Sequence, residues 1–436
     1  MSRKEKINIV TLGCYKNLVD SEVLLKQLSL NNYEIAHNSD SFDYKIVIVN
    51  TCGFINDAKQ ESIDTILQFV KAKKKGKIRN LFVMGCLSQR YKDELKKEIP
   101  EVDEFYGVDD YREILEKLDS QYINELLGER IITTPNHYAY LKIAEGCDRN
   151  CSFCAIPNIR GKHISKSIEQ IVKEADFLAK QNVKELILIS QDLSYYGIDI
   201  YKKQMLTNLL EELLKINSIE WIRLQYLYPN KFPEDLIQLM KLNNKICNYI
   251  DIPFQHISDN ILSKMRRGIN TNETYKLIQY IKEEIPDIAI RTTLLVGHPG
   301  ETEYNFQELK EFIKKSKFDK LGVFKYSHEE DTYAFKNYID DISDKIKQNR
   351  YDEIMQIQQQ ISYNLNQERI GKIYKVLIDR KEGDFYIGRT QYDSPEVDGE
   401  VLINDENIEI GMFYNILITE ADEYDLFGKL NHVNGN

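Results

Sequence analysis

Apolar runs alternate with helical patterns along the first 125 residues. Short runs rich in β-branched residues, "INIVTLG", "YKIVIVN" and "NLFVMG", are separated by longer amphipathic stretches. Near-continuous apolar strands between helices are typical of parallel sheets that are covered on both faces. The pattern therefore predicts an α/β domain with a parallel sheet over residues 1–125.

A second alternating series begins at Tyr138. Each strand-like run is followed by an amphipathic stretch such as "SIEQIVKEADFLAKQN", and the runs are "YAYLKIA", "ELILIS", "WIRLQYL", "YIDIPFQ", "AIRTTLLVG" and "KLGVFKYS". This series predicts a partial (β/α)6 barrel over residues 133–369, closed by a long helix from about Ile339 to Arg369. The chemistry of such barrels gathers at the carboxyl ends of the strands.

The pattern changes again near residue 370. Short alternating strands with turn residues between them, "KIYKVLI", "FYIGRT", "GEVLIN" and "FYNILITEA", predict a small antiparallel β-barrel over residues 370–436. The expected fold class is therefore α/β, with a parallel-sheet domain and a partial barrel followed by a small all-β domain.

Composition is that of an ordinary globular protein. Of 436 residues, 42% are hydrophobic and 29% are charged. Because no apolar run approaches the roughly 18 residues of a membrane helix and the start has no signal-peptide pattern, we expect a cytoplasmic protein without a membrane partner. In a reducing compartment, the seven cysteines favour metal binding or catalysis over disulfides.

Three cysteines, Cys147, Cys151 and Cys154, are crowded into the stretch "EGCDRNCSFCAIP". A complete protein-ligated 4Fe–4S cluster takes four thiolates, so three leave one iron open to a small molecule, as in catalytic metal sites. The loop follows the first barrel strand, where barrel active sites are built. The alternative is structural zinc, which normally has four Cys or His ligands; the nearest histidine is His163.

Three more cysteines, Cys14, Cys52 and Cys86, each end one of the amino-terminal strands. Parallel strands present their carboxyl ends at one edge of a sheet, so we expect these thiols to converge. The hypothesis is a second, auxiliary cluster with an open iron; the alternative is chance, because cysteine is a common buried residue. Cys247 has no such partners and is predicted to lie in the core.

The spacing of Cys147, Cys151 and Cys154, with Phe153 before the last cysteine, resembles the radical S-adenosylmethionine (AdoMet) superfamily. The resemblance implies that AdoMet binds the open iron of this 4Fe–4S cluster and is cleaved to a 5′-deoxyadenosyl radical. With the second trio and the terminal barrel, essentially the whole chain resembles the methylthiotransferases, whose terminal module is a TRAM domain. In that family one AdoMet methylates a sulfur on the auxiliary 4Fe–4S cluster, and a second AdoMet yields the radical. The resemblance also implies an electron donor as a partner, which reduces the cluster that cleaves AdoMet.

Two branches of that family differ in substrate. The RimO type methylthiolates the β-carbon of an aspartate in small-subunit ribosomal protein S twelve, and the MiaB type modifies an adenosine in tRNA. The segments that resemble the RimO type are "TLGCYKNLVDSE", "QDLSYYG", "DIPFQHISDNIL", "YSHEEDTYA" and "GRTQYDSPEVDG". Two places depart from the family pattern, since His298 replaces an aromatic residue and Ile164 and Lys166 replace a basic pair.

The favoured function is therefore the RimO-type reaction, with the MiaB type as the alternative. A second alternative, from another class, is a non-catalytic electron carrier with two clusters. The sites of such a carrier would be fully ligated, and six cysteines rather than eight count against it. No residue is assigned as a general acid or base.

Charge bears on the partner. The net charge is −11, and residues 371–436 hold six Lys/Arg and fourteen Asp/Glu, a net charge of −8. Because RNA affinity comes largely from neutralising phosphates, direct RNA binding by the terminal domain is not expected. A basic ribosomal protein, free or in the ribosome, is the expected partner, and the expected exposed acids include Glu396, Asp398, Asp405 and Glu406.

Smaller signals concern single residues near the predicted barrel mouth. Arg266 and Arg267 are predicted to lie on a solvated helix face, and Glu301 is predicted at the amino terminus of a helix, where its charge is favourable. His256 is predicted to face the cavity or to make a structural hydrogen bond.

Overall fold

The computed structural model describes residues 5–41, 43–126 and 128–431. The two ends of the predicted domains, residues 1–4 and 432–436, lie outside the described residues. Within the described ranges, no helix combines the length and the apolar character that crossing a bilayer requires.

The amino-terminal part is built around a parallel sheet. Its elements are β1 (Lys6–Thr11), α1 (Tyr15–Leu30), β2 (Glu34–His37), β3 (Ile46–Thr51), α2 (Asn56–Lys74), β4 (Asn80–Gly85), α3 (Cys86–Glu98), β5 (Glu104–Phe105) and α4 (Tyr111–Lys117). The five strands are parallel in the order β2-β1-β3-β4-β5. Apolar clusters lie on both faces of this sheet, which confirms the predicted layer.

The central part is a sheet of six parallel strands in the order β13-β12-β11-β10-β9-β6. Its elements are β6 (Tyr138–Lys142), β7 (Ala144–Glu145), α5 (Ile156–Arg160), β8 (Ile164–Ser165), α6 (Ile168–Ala179), β9 (Glu185–Ile189), α7 (Ile198–Tyr201), α8 (Leu206–Leu213), β10 (Trp221–Leu224), α9 (Glu234–Leu242), β11 (Ile246–Asp251), α10 (Asp259–Lys264), α11 (Thr271–Glu284), β12 (Ala289–Val296), α12 (Glu303–Ser316), β13 (Lys320–Lys325), α13 (Tyr333–Asn337) and α14 (Asp344–Gln367). The predicted partial barrel is confirmed. Its largest apolar cluster lies between the strands and their helices.

The carboxyl-terminal part is a small closed barrel. Its strands are β14 (Ile373–Glu382), β15 (Phe385–Thr390), β16 (Val401–Ile403), β17 (Phe413–Ala421) and β18 (Leu426–Leu430), in the order β14-β15-β16-β18-β17. The predicted barrel is confirmed, but it is not wholly antiparallel, because β16 and β18 pair in parallel.

The loop between β15 and β16 packs against the central sheet. Asp398 binds Arg291 of β12 at 2.6 Å and accepts a hydrogen bond from Tyr249 of β11 at 2.8 Å. Asp393 forms a further ion pair with Lys320 of β13 at 2.6 Å. The side chain of Asp398 is 1% exposed, so its prediction as an exposed acid was wrong: the loop folds onto the sheet and not over the surface.

Candidate functional site

The Cys147 loop lies at the carboxyl end of β6, where the central strands end. The loop is folded by hydrogen bonds from Cys154 N to Cys151 O at 3.2 Å and from Cys147 N to Gly161 O at 3.1 Å. Burial raises the pKa of the Cys147 thiol to about 11 and that of Cys154 to about 12, and negative charge on Cys151 raises both. The three sulfurs therefore lie within electrostatic reach of one another.

Arg267 lies against this loop. Its Nη1 is 3.2 Å from Cys151 Sγ, and its guanidinium lies 4.2 Å from the ring centroid of Tyr228. Arg267 is 4% exposed, so its predicted place on a solvated face was wrong. The reason is the turn after α10, where Arg266 has φ of +57° and the chain carries Arg267 inward.

The second trio lies at one edge of the amino-terminal sheet. Cys14 and Cys52 follow β1 and β3, and Cys86 directly follows β4; these three strands are neighbours. Gly13 has φ of +84°, and a β-carbon there would lie 2.9 Å from Cys52 Sγ, so only glycine permits this approach. The pKa of Cys86 is raised to about 12, mainly by burial and to a lesser extent by charge on Cys14 and Cys52, while Arg160 acts in the opposite direction.

The two trios lie next to each other. Cys86 belongs to a buried cluster with Ala155 and Ile159, and Ala155 directly follows Cys154 in the chain. Helix α5 then carries Arg160 to the amino-terminal sheet. There the Arg160 guanidinium donates to Asn17 Oδ1, which lies 3.7 Å from Cys86 Sγ.

A buried network of charges joins the two parts at this point. Arg160 Nη1 lies 2.8 Å from Glu145 and 3.2 Å from Asp20. Lys142 Nζ contacts Asp20 and lies 2.8 Å from Glu145. Sequence patterns do not single out these residues; the one signal is that Asp20 lies within "TLGCYKNLVDSE", the segment that resembles the RimO type.

His298 supports the cysteine loop from behind. Its Nε2 lies 3.3 Å from Ser152 Oγ, and its ring packs edge-on against Phe153 and Tyr326. Burial lowers the pKa of His298 to about 4, which keeps the ring neutral. The histidine thus takes the packing place of the aromatic residue that the family pattern has there.

Glu301 and His256 lie close together in the same region. Glu301 Oε1 binds Arg350 Nη1 at 2.8 Å, whereas α12 is capped by Thr302, which accepts from Asn305 N. Glu301 thus lies at the amino terminus of α12, as predicted, directly before the N-cap residue Thr302, but its carboxylate binds Arg350 and not the helix terminus. His256 Nδ1 accepts a structural hydrogen bond from Ser258 N at 3.0 Å, and burial lowers the pKa of His256 to about 3.

The two trios suit iron–sulfur clusters. In the described part of the chain, no three His, Cys, Asp or Glu side chains are grouped as ligands of a single metal ion, and the seven cysteines form no disulfide. A 4Fe–4S cluster is a larger body that is held at separate corners by separate thiolates. Cys52 and Cys86 are buried and the other four cysteines of the two trios are half-buried. Each trio lies near a guanidinium, Arg267 for one and Arg160 for the other, and a nearby cation favours the thiolate that a cluster needs.

Family models cover the three parts. Residues 6–107 match the uncharacterized protein family UPF0004, residues 141–313 match the radical SAM superfamily, and residues 370–430 match the TRAM domain. Among solved structures, the radical S-adenosylmethionine methyltransferase TsrM from Kitasatospora setae has a TM-score of 0.54 at 13% identity and covers 74% of this chain and 72% of its own. This likeness shows a shared fold.

Full-length relatives give a narrower match. The ribosomal protein uS12 methylthiotransferase RimO of Phocaeicola vulgatus is 54% identical over 430 residues, which are 98% of this chain and 100% of the relative. The protein of the same name from Bacteroides thetaiotaomicron is also 54% identical, over 98% of this chain and 99% of its own. The chain therefore belongs to the RimO family of radical AdoMet methylthiotransferases.

Proposed function

We propose that this chain methylthiolates the β-carbon of an aspartate in ribosomal protein uS12. The observation that carries the proposal is the meeting of the two thiol trios, because Cys86 packs against the residue that follows Cys154. A group built at one trio can then reach a carbon activated at the other without leaving the protein. The RimO name of the full-length relatives favours this reaction over the tRNA-modifying alternative.

In this proposal Cys147, Cys151 and Cys154 hold the 4Fe–4S cluster that the radical SAM match implies. Bound there, the cluster and AdoMet supply a radical that removes hydrogen from an unactivated carbon. The protein contributes a charged setting. Arg267 lies 3.2 Å from the Cys151 sulfur and the Arg149 amide donates to Cys147 Sγ at 3.4 Å, so both stabilise charged sulfur.

Cys14, Cys52 and Cys86 are proposed to hold a second 4Fe–4S cluster, on which the methylthio group is prepared. Replacing these three by alanine is expected to remove about half of the iron and to stop methylthiolation, because each of two equal clusters holds half. Replacing Cys147, Cys151 and Cys154 is expected to remove the other half and to abolish AdoMet cleavage. Iron is measured after anaerobic reconstitution, with Cys247→Ala as the control for a buried cysteine outside both trios; full iron in the first variant contradicts the auxiliary site.

The substrate is tested in cells and with purified components. We expect uS12 from a strain that lacks this chain to lose the methylthio group by mass spectrometry, and the purified chain with a reductant to restore it. Both free uS12 and ribosomes are tried as substrates. Methylthiolation of tRNA adenosine with no reaction on uS12 contradicts the proposal. The proposal includes a cytoplasmic location, which a ribosomal substrate favours, and a separate protein that donates the electrons.

A further inference from the structure

Lys16 is a buried cation without a carboxylate partner. It lies two residues after Cys14, in the first turn of α1, and is 9% exposed. Its Nζ donates to the Ser190 carbonyl at 3.3 Å and lies 4.2 Å from the ring centroid of Tyr226. Within residues 5–41, 43–126 and 128–431, no carboxylate lies within ion-pair distance of this ammonium and no sulfur lies within hydrogen-bond distance.

The other buried cations at this edge do have an anion. The buried pairs are Lys142 with Asp20 and Arg160 with Glu145, and the half-buried Arg149 pairs with Asp192. Arg267 lies against the Cys151 sulfur instead. Asp251 interacts with Lys16 only at longer range and is itself paired with Arg291 at 4.0 Å. A buried ammonium with no carboxylate at ion-pair distance is costly to a fold, so the environment of Lys16 is that of a site completed by a ligand with negative charge.

Lys16 lies between the auxiliary trio and the mouth of the central barrel. Ser190 directly follows β9 and Tyr226 lies just beyond β10, so both mark carboxyl ends of barrel strands. Tyr226 adopts φ of +67°, which is rare for an aromatic residue, and it is held there by a hydrogen bond from its amide to Asp251 Oδ2 at 3.1 Å. Backbone strain of this kind collects at functional sites, and here it places the Tyr226 ring beside the ammonium.

We infer that Lys16 binds the side-chain carboxylate of the substrate aspartate. The inference rests on the proposed function. The carboxyl carbon of aspartate is bonded directly to the β-carbon that reacts, so an ammonium that holds the carboxylate also holds the reacting carbon between the two trios. AdoMet also carries a carboxylate that an ammonium could bind. AdoMet is proposed to bind at the Cys147 loop, with which Lys16 makes no described contact, so the carboxylate of the substrate aspartate is favoured.

The test measures recognition by the reconstituted full-length protein. Dye-labelled uS12 with its target aspartate, or with asparagine in that position, is titrated with wild type and with Lys16→Met, and anisotropy gives the dissociation constants. Wild type is expected to prefer the aspartate form by about ten- to a hundredfold, the range of a charge-assisted hydrogen bond. Lys16→Met is expected to bind both forms within about twofold, because neither form then meets a charge. Lys26→Met, on the same helix where Lys26 pairs with Glu129, is expected to keep the wild-type preference, and Lys16→Arg to restore part of it.

Several outcomes overturn the inference. If the Lys16→Met variant still prefers the aspartate form, the ammonium does not bind the substrate. It then balances another charge, such as that of Asp251, whose Oδ1 has no hydrogen-bond partner. Weaker binding of AdoMet with an unchanged aspartate preference assigns Lys16 to the AdoMet carboxylate. Loss of iron from the auxiliary trio assigns it to the cluster. If wild type modifies uS12 but binds both forms equally, this inference alone fails; if wild type does not modify uS12 at all, the proposed function fails with it.

Discussion

Arg160 is the residue through which the two cysteine sites are tied together. Its side chain is 1% exposed, and its guanidinium contacts Asp20 and Glu145 as well as the Asn17 amide oxygen. A charge buried this deeply is tolerated only while its partners are present, and removal of one partner leaves the others uncompensated. Arg160 therefore contributes to the stability of the contact between the amino-terminal and central parts.

Replacing Arg160 by methionine is expected to lower the free energy of unfolding by about 3–5 kcal/mol, because Asp20 and Glu145 then share only Lys142. Urea unfolding followed by circular dichroism under anaerobic conditions measures the change. Lys162→Met, at an exposed position two residues away, is the matched control and should stay within about 0.5 kcal/mol of wild type. An Arg160→Met variant that unfolds at the wild-type urea concentration would show that the network does not hold the two parts together.

Glu301 gives stability a dependence on pH. Burial outweighs the ion pair with Arg350 and raises the pKa of the Glu301 carboxyl from 4.5 to about 7. The unfolded chain releases this proton first as the pH rises, so the folded state loses stability from about pH 4.5 to about pH 7. Glu301→Gln abolishes the titration, and the stability of the variant relative to wild type should rise across this window by up to about 3 kcal/mol. Thermal unfolding at several pH values measures this difference in stability between Glu301→Gln and wild type, with the exposed Glu303→Gln as the control. A stability difference that does not change with pH contradicts the argument.

Thiols can be singled out from the sequence because they are few and their spacing carries chemical meaning. Buried lysines and arginines cannot be singled out in this way, because their burial depends on local turns and on strands that are distant in sequence. Arg267 points inward because of the turn at Arg266, and Lys16 is buried because barrel strands distant in sequence end beside it. No local period distinguishes such residues from the solvated lysines and arginines of the helices.

At the scale of elements, the pattern of apolar residues along the chain predicts most of the strands and their sequence positions. Most exceptions are short: β2 has four residues, and β5, β7 and β8 have two each. β18 is also an exception, although its five residues equal those of the predicted β6 and β9. Their place depends on the neighbouring strand and not on their own pattern. The parallel pairing of β16 with β18 is likewise a tertiary feature. The domain boundaries 1–125, 133–369 and 370–436 stay a prediction.

The loop between β15 and β16 is one of the elements that fix the terminal barrel on the central sheet, beside ion pairs such as Arg389 with Glu185. Asp398→Ala would leave Arg291 largely without its closest counter-charge, and we expect a loss of about 3 kcal/mol from this contact. The terminal barrel should then detach more often, which limited proteolysis between α14 and β14 would report as faster cleavage. Asp405→Ala, in the loop after β16, is the control and is expected to leave the cleavage rate unchanged. Equal rates for wild type and Asp398→Ala would mean that other contacts hold the barrel.

Across the whole molecule, negative charge is concentrated at one end. Residues 371–436 carry a net charge of −8 out of −11. The structure divides these acids into two sets. Asp379, Asp393 and Asp398 pair with cations inside the protein, whereas other acids face solvent, among them Asp384, Glu406, Glu409 and Glu420. The exposed set can act on a partner at a distance.

Reversing Asp384, Glu406, Glu409 and Glu420 to lysine is expected to slow modification of uS12 by about tenfold at low salt and to flatten its salt dependence, because opposite charges steer the encounter of the acidic barrel with a basic protein. Initial rates over a series of KCl concentrations measure both effects. The matched control reverses Asp93, Glu98, Glu211 and Glu283, exposed acids of the other two parts, and changes the net charge equally. If both variants slow the reaction alike, net charge alone is responsible; if neither does, the terminal barrel does not guide uS12. Because steering ends once the complex has formed, the rate at saturating uS12 should be the same for all three proteins.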